Sequence, residues 1–62
     1  MRVSITMEEN AFIREAPDPN AGAVGLALKG DVLPAAGLPP KNGYAAVRYR
    51  GRVAWVRGAK DL

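Results

Sequence analysis

The sequence predicts an all-β domain, a small barrel of five or six short antiparallel strands. Three observations carry that expectation. Apolar residues recur at period two in short runs, and Gly, Pro, Asn and Asp break those runs at short intervals. The C-terminal third holds two six-residue stretches rich in Val and aromatic residues, joined by only two residues.

The elements follow in order. Val3-Ser4-Ile5-Thr6-Met7 alternates apolar and polar as a half-buried strand does. Ala11-Phe12-Ile13-Arg14 is a second apolar piece, and Pro17-Asp18-Pro19-Asn20-Ala21-Gly22 is dense in turn formers and reads as a loop. Val24 to Leu28 is too short and too rich in flanking Gly for a stable helix, so strand is expected there. Asp31 to Ala36 continues as another strand, with Pro34 marking an edge, a bulge or the strand's limit. Gly37 to Gly43 is a second long loop ending in Asn42-Gly43.

The clearest hairpin runs from Tyr44 to Tyr49 and from Arg52 to Arg57 around Arg50-Gly51. Alternation puts Ala45, Val47 and Tyr49 on one face with Ala54 and Val56, filling the barrel. Tyr44, Ala46, Arg48, Trp55 and Arg57 share the other face. The last five residues, Gly58 to Leu62, read as a short terminal turn, a single 3-10 turn, with Leu62 folded back on the core.

At 62 residues the chain is one domain. A chain of this size buries only about 60% of its unfolded surface. With no Cys and no His, neither a disulfide nor a usual metal site staples it. No stretch approaches the ~20 apolar residues of a membrane span, so membrane insertion is not expected. Met1-Arg2-Val3 leads into polar and acidic residues rather than a basic segment followed by an apolar one, so no signal peptide is read there.

Composition also prunes chemistry. Ser4 is the only serine and Thr6 the only threonine, and no base of the usual kind accompanies them. Zinc, haem and iron–sulfur sites lack their standard ligands, so no cofactor is expected. Among the carboxylates, Glu8 and Glu9 are adjacent and would point to opposite faces of a strand, as solvated surface charge. The chain therefore reads as a non-enzyme.

Three stretches, taken in order, resemble a known family. Ala11-Phe12-Ile13-Arg14-Glu15-Ala16-Pro17 stands where bacterial SH3-like domains carry Leu-Asn-Val-Arg-x-x-Pro. Val24-Gly25-Leu26-Ala27-Leu28-Lys29-Gly30 matches their aliphatic-Gly-x-x-x-x-Gly segment. The stretch from Asn42 to Val56 resembles their Asn-Gly-aromatic-x-x-Val-x-Tyr-x-Gly-x-x-Gly-Trp-Val pattern, with Tyr44 where Trp is usual and Ala54 where Gly is usual. The resemblance implies a strongly bent SH3-like barrel. It also implies a binding module for cell-wall peptides or for protein partners in the envelope, in signalling or in phage particles. Fold alone does not choose among these.

Charge is unevenly spread over the formal +3. Residues 1–31 set three cations against five carboxylates, a net −2, while residues 32–62 set six cations against Asp61, a net +5. The C-terminal hairpin is thus a basic arm with Tyr44 and Trp55 among its arginines. One reading makes it a ligand site, with Tyr44 and Trp55 as aromatic anchors and Arg48 and Arg57 as anion partners, facing a peptide, a cell-wall peptide or a protein. The other makes the arginines a solvated face that discourages edge pairing, with Trp55 capping the barrel on Arg stems. A nucleic-acid-binding barrel and a self-associating assembly subunit, or a designed minimal barrel, are the alternatives from other classes. Pro17-Asp18-Pro19 either borders a groove or merely stiffens a turn, and Leu38-Pro39-Pro40 is a candidate contact surface.

Overall fold

A computed structural model describes residues 3–60. Six strands follow one another without an intervening helix: β1 (Ser4–Thr6), β2 (Ala11–Arg14), β3 (Ala23–Ala27), β4 (Val32–Pro34), β5 (Ala45–Tyr49) and β6 (Arg52–Val56). β1 and β4 form a two-stranded sheet, and the other four are ordered β3-β2-β6-β5. Every strand pair is antiparallel.

Short backbone links join the two sheets into a barrel-like globule. Beyond β4, Ala35 pairs with Val47 of β5, and the Ala36 amide donates to Ala46 O at 3.1 Å. Beyond β1, Met7 pairs with Ala59, and the amides of Glu8 and Lys60 donate to Gly58 O and Thr6 O, both at 2.8 Å. This second link holds the start of the expected terminal turn, whose last two residues lie outside the described residues. The chain after β6 stays extended enough at Ala59 to pair with Met7, whose strand edge would otherwise lie open. The expected docking of Leu62 lies outside the described residues.

The core follows the predicted alternation. Ile5, Met7, Ile13, Ala27, Ala45, Val47, Ala54, Val56 and Ala59 are buried together, with Tyr49 packed against them. Four of the nine are alanines, which lets strands from opposite walls approach closely. The bulk comes from Met7, Ile13, Val47 and Val56. β4 ends at Pro34, whose missing amide faces the β5 side, while the Ala35 amide carries the β1 pairing one step further to Val3 O at 3.0 Å. A bulge at Ile13/Arg14, where the register with β3 shifts, bends β2 and β3 around the core.

Two tight turns set the register of the hairpin and its approach. Asn42 and Gly43 have φ of 53° and 81°, and Lys41 and Tyr44 exchange backbone bonds of 2.9 and 2.8 Å around them. Arg50 and Gly51 repeat the pattern at φ 52° and 79°. Positive φ at both central positions is what the right-handed twist of a two-residue hairpin demands. Arg50 is poorly suited to it, at about 1–2 kcal/mol for a side chain in this region. Its guanidinium lies 5.5 Å from the Tyr49 ring centroid, which returns about 0.5–1 kcal/mol. Arg50→Asn, which tolerates the turn but loses the stack, is therefore expected to stabilise the fold by about 0.5–1 kcal/mol. Thermal melts of the two proteins check this, and an unchanged or lower midpoint would contradict it.

Candidate functional site

Trp55 sits on the outer face of the four-stranded sheet, half-buried between Ala46 of β5 and Arg14 of β2, its cross-strand partners on either side. Arg48 pairs with Val53 one step toward the hairpin turn, and both are exposed. Arg57 is exposed just past the other end of β6. Three of the four predicted site residues, Arg48, Trp55 and Arg57, therefore share one solvent-facing surface.

Tyr44 does not join them, which corrects the expectation of a second aromatic anchor. It lies on that face by alternation, but only 4% of it is exposed. The cause is the loop before β5, which folds back at Asn42-Gly43 so that Lys41 pairs with Tyr44. Asn42 Nδ2 also donates to Pro17 O at 3.1 Å, which ties this loop to the one between β2 and β3.

The same loop makes a cleft. Leu38, Pro39 and Pro40 stand over Ala45, Ala46 and Ile5, enclosing about 280 Å³ of mainly apolar lining. Leu38 is half exposed at its rim. Ala46 belongs both to this cleft and to the pair with Trp55, so the indole and the cleft are neighbours on one surface. Leu38-Pro39-Pro40 thus does form an accessible apolar wall. The Pro17-Asp18-Pro19 segment is instead a self-closed turn, in which Asp18 Oδ1 accepts from the Asn20 amide at 2.8 Å and Asp18 O from that of Ala21 at 3.0 Å.

Sequence reasoning missed the β2 and β3 side of this face. Phe12 and Leu26 are cross-strand partners, each 55% exposed. Arg14 lies with its guanidinium carbon 5.6 Å from the Phe12 ring centroid and donates from Nη1 to Ala21 O at 2.8 Å. The signal was present in the alternation of Phe12 and Arg14 around buried Ile13, but only the register with Trp55 shows that the two strands share a surface. Phe12, Arg14 and Trp55 form a band of aromatic and guanidinium planes across three residues of two neighbouring strands.

The described residues contain no cluster of three or more His, Cys, Asp or Glu placed to hold a metal ion. Comparison with protein-family models gives no match, and neither curated proteins nor solved structures give one.

Proposed function

We propose that this chain is a non-catalytic recognition module that binds peptide, of the kind a bacterial cell wall presents, on the outer face of β2, β6 and β5. The reading rests on one juxtaposition, an accessible indole beside an apolar cleft, with arginines around them. Trp55 supplies flat apolar area at low entropy cost, and the cleft under Leu38–Pro40 is large enough for one or two side chains. Arg48 and Arg57 are free to grip carboxylates in a bidentate way. The resemblance to bacterial SH3-like domains, carried by the motifs around Arg14, Gly25 and Trp55, supports the same reading.

The test is a pull-down of the purified protein with bacterial wall sacculi at low and high salt, beside Trp55→Ala and Arg48→Ala. Loss of a central aromatic anchor is expected to weaken binding by about 2 kcal/mol, roughly 30-fold. Arg48→Ala, at an exposed position, is expected to weaken it less and to leave the fold intact. A folded Trp55→Ala protein that binds sacculi as well as the parent sinks the site. The exposed Arg48, Arg50, Arg52 and Arg57 on a single hairpin favour nucleic acid as the second reading. Binding to single-stranded oligonucleotide that falls steeply with salt, with none to sacculi, would select it.

A further inference from the structure

β3 ends the four-stranded sheet, with β2 on one side and no strand on the other among the described residues. Two hydrogen bonds show which of its groups face outward. The Lys29 amide donates to Asn10 Oδ1, on the β2 side, while the Leu28 amide donates to Asp31 Oδ2. Gly25 and Ala27 share the parity of Lys29 and face β2, so Leu26 turns its amide and carbonyl to the open edge. Edge strands usually carry Lys, Pro or an inward charge that blocks further pairing. Ala23-Val24-Gly25-Leu26-Ala27 carries none of these, and Leu26, Phe12 and Leu28 are about half exposed alongside it.

We propose that β3 pairs antiparallel with β3 of a second copy of this chain, giving a two-fold dimer. The charges at the two ends of the strand select that partner and that direction. Arg50 and Arg52 line a shallow cleft with Val24 near the start of β3. Asp31 sits past its end, on the Leu28 amide. Antiparallel pairing sets the arginine end of each copy against the Asp31 end of the other, twice over by symmetry. Parallel pairing sets arginines against arginines. Because Asp31 already occupies the Leu28 amide, the new ladder is confined to the residues before it. So short a ladder, flanked by a few leucines, makes a weak dimer that forms with rising concentration.

Sedimentation of the full chain from micromolar to millimolar concentration tests this. The wild type is expected to pass from monomer to dimer, with exchange of the Leu26 amide slowing as it does. Leu26→Lys is expected to weaken the dimer about tenfold or more, by setting like charges across the two-fold and removing apolar contact. Arg52→Glu and Asp31→Lys should each stay monomeric alone, yet dimerise when mixed, because each then supplies the charge the other lacks. A wild type that stays monomeric at millimolar concentration overturns the proposal, as does a dimer indifferent to Leu26→Lys. A mixture of the two charge variants that remains monomeric overturns the antiparallel geometry. Wall binding through Trp55 is on the sheet face rather than its edge, so sacculus pull-downs report on it separately.

Discussion

Ile13→Ala is expected to cost about 2–5 kcal/mol, a large share of the fold's whole stability. Ile13 is 1% exposed and is one of five larger side chains, with Ile5, Met7, Val47 and Val56, in a core whose other four members are alanines. Truncating a buried isoleucine costs about 2–5 kcal/mol, through lost transfer energy and the cavity left behind. The strands that would have to close that cavity are already held near contact by Ala27, Ala45 and Ala54, so little relaxation is open to them. A 62-residue domain has about 3–9 kcal/mol in all, at ~0.05–0.15 kcal/mol per residue. The upper half of the expected loss therefore consumes most of the lower half of that range. Urea unfolding of the variant beside the parent measures it. A loss under 1 kcal/mol would mean that the barrel interior is not packed around Ile13.

Gly25→Val is expected to destabilise, against the sign that strand propensity gives. Valine is favoured over glycine in strands, on a scale that spans about 1 kcal/mol. A β-carbon at Gly25, however, would lie 2.5 Å from Tyr49 Oη and 2.7 Å from its Cζ. The ring must swing away, and it is held by the core on one side and the Arg50 guanidinium on the other. Overpacking of this kind costs about 1–3 kcal/mol, which outweighs the propensity gain. A double-mutant cycle with Tyr49→Ala isolates the clash. The Gly25→Val penalty is expected to shrink or reverse once the ring is gone. Equal penalties in the two backgrounds would show that the ring is not what requires glycine here.

Local pattern carried most of the fold into the sequence. The hairpin was legible because Ala45, Val47, Ala54 and Val56 alternate with Arg and Trp around a two-residue turn, and the observed register pairs Val47 with Ala54 as that alternation requires. Pro34 and the Pro17–Gly22 segment marked limits that the backbone respects. The Met7–Ala59 pairing was hidden, since its partners are more than fifty residues apart and Ala59 lies in no run with a period. Strand ends moved by a residue or two for the same reason: they stop where a partner stops.

The site was legible only in part. Arg48, Trp55 and Arg57 fall on one face because alternation within a hairpin is a local rule. Tyr44 obeys that rule and is nevertheless buried, because the Lys41–Gly43 turn comes from the preceding loop. Phe12, Arg14 and Leu26 reach the same face through strand neighbours set by the sheet order β3-β2-β6-β5, which no single segment encodes. The consequence is that the proposed binding surface has one accessible tryptophan rather than two aromatic anchors. Its second apolar element is the Leu38–Pro40 wall.

Trp55 is the chain's only tryptophan, so its emission reports on the proposed surface without labelling. The measurement that bears most directly on peptide recognition is a titration of the wild-type protein with soluble wall peptide released from sacculi, followed by Trp55 fluorescence at low and high salt. A saturable shift in emission that persists at high salt is the predicted result. Binding with an unchanged emission spectrum, or no binding at either salt, would contradict recognition through this face.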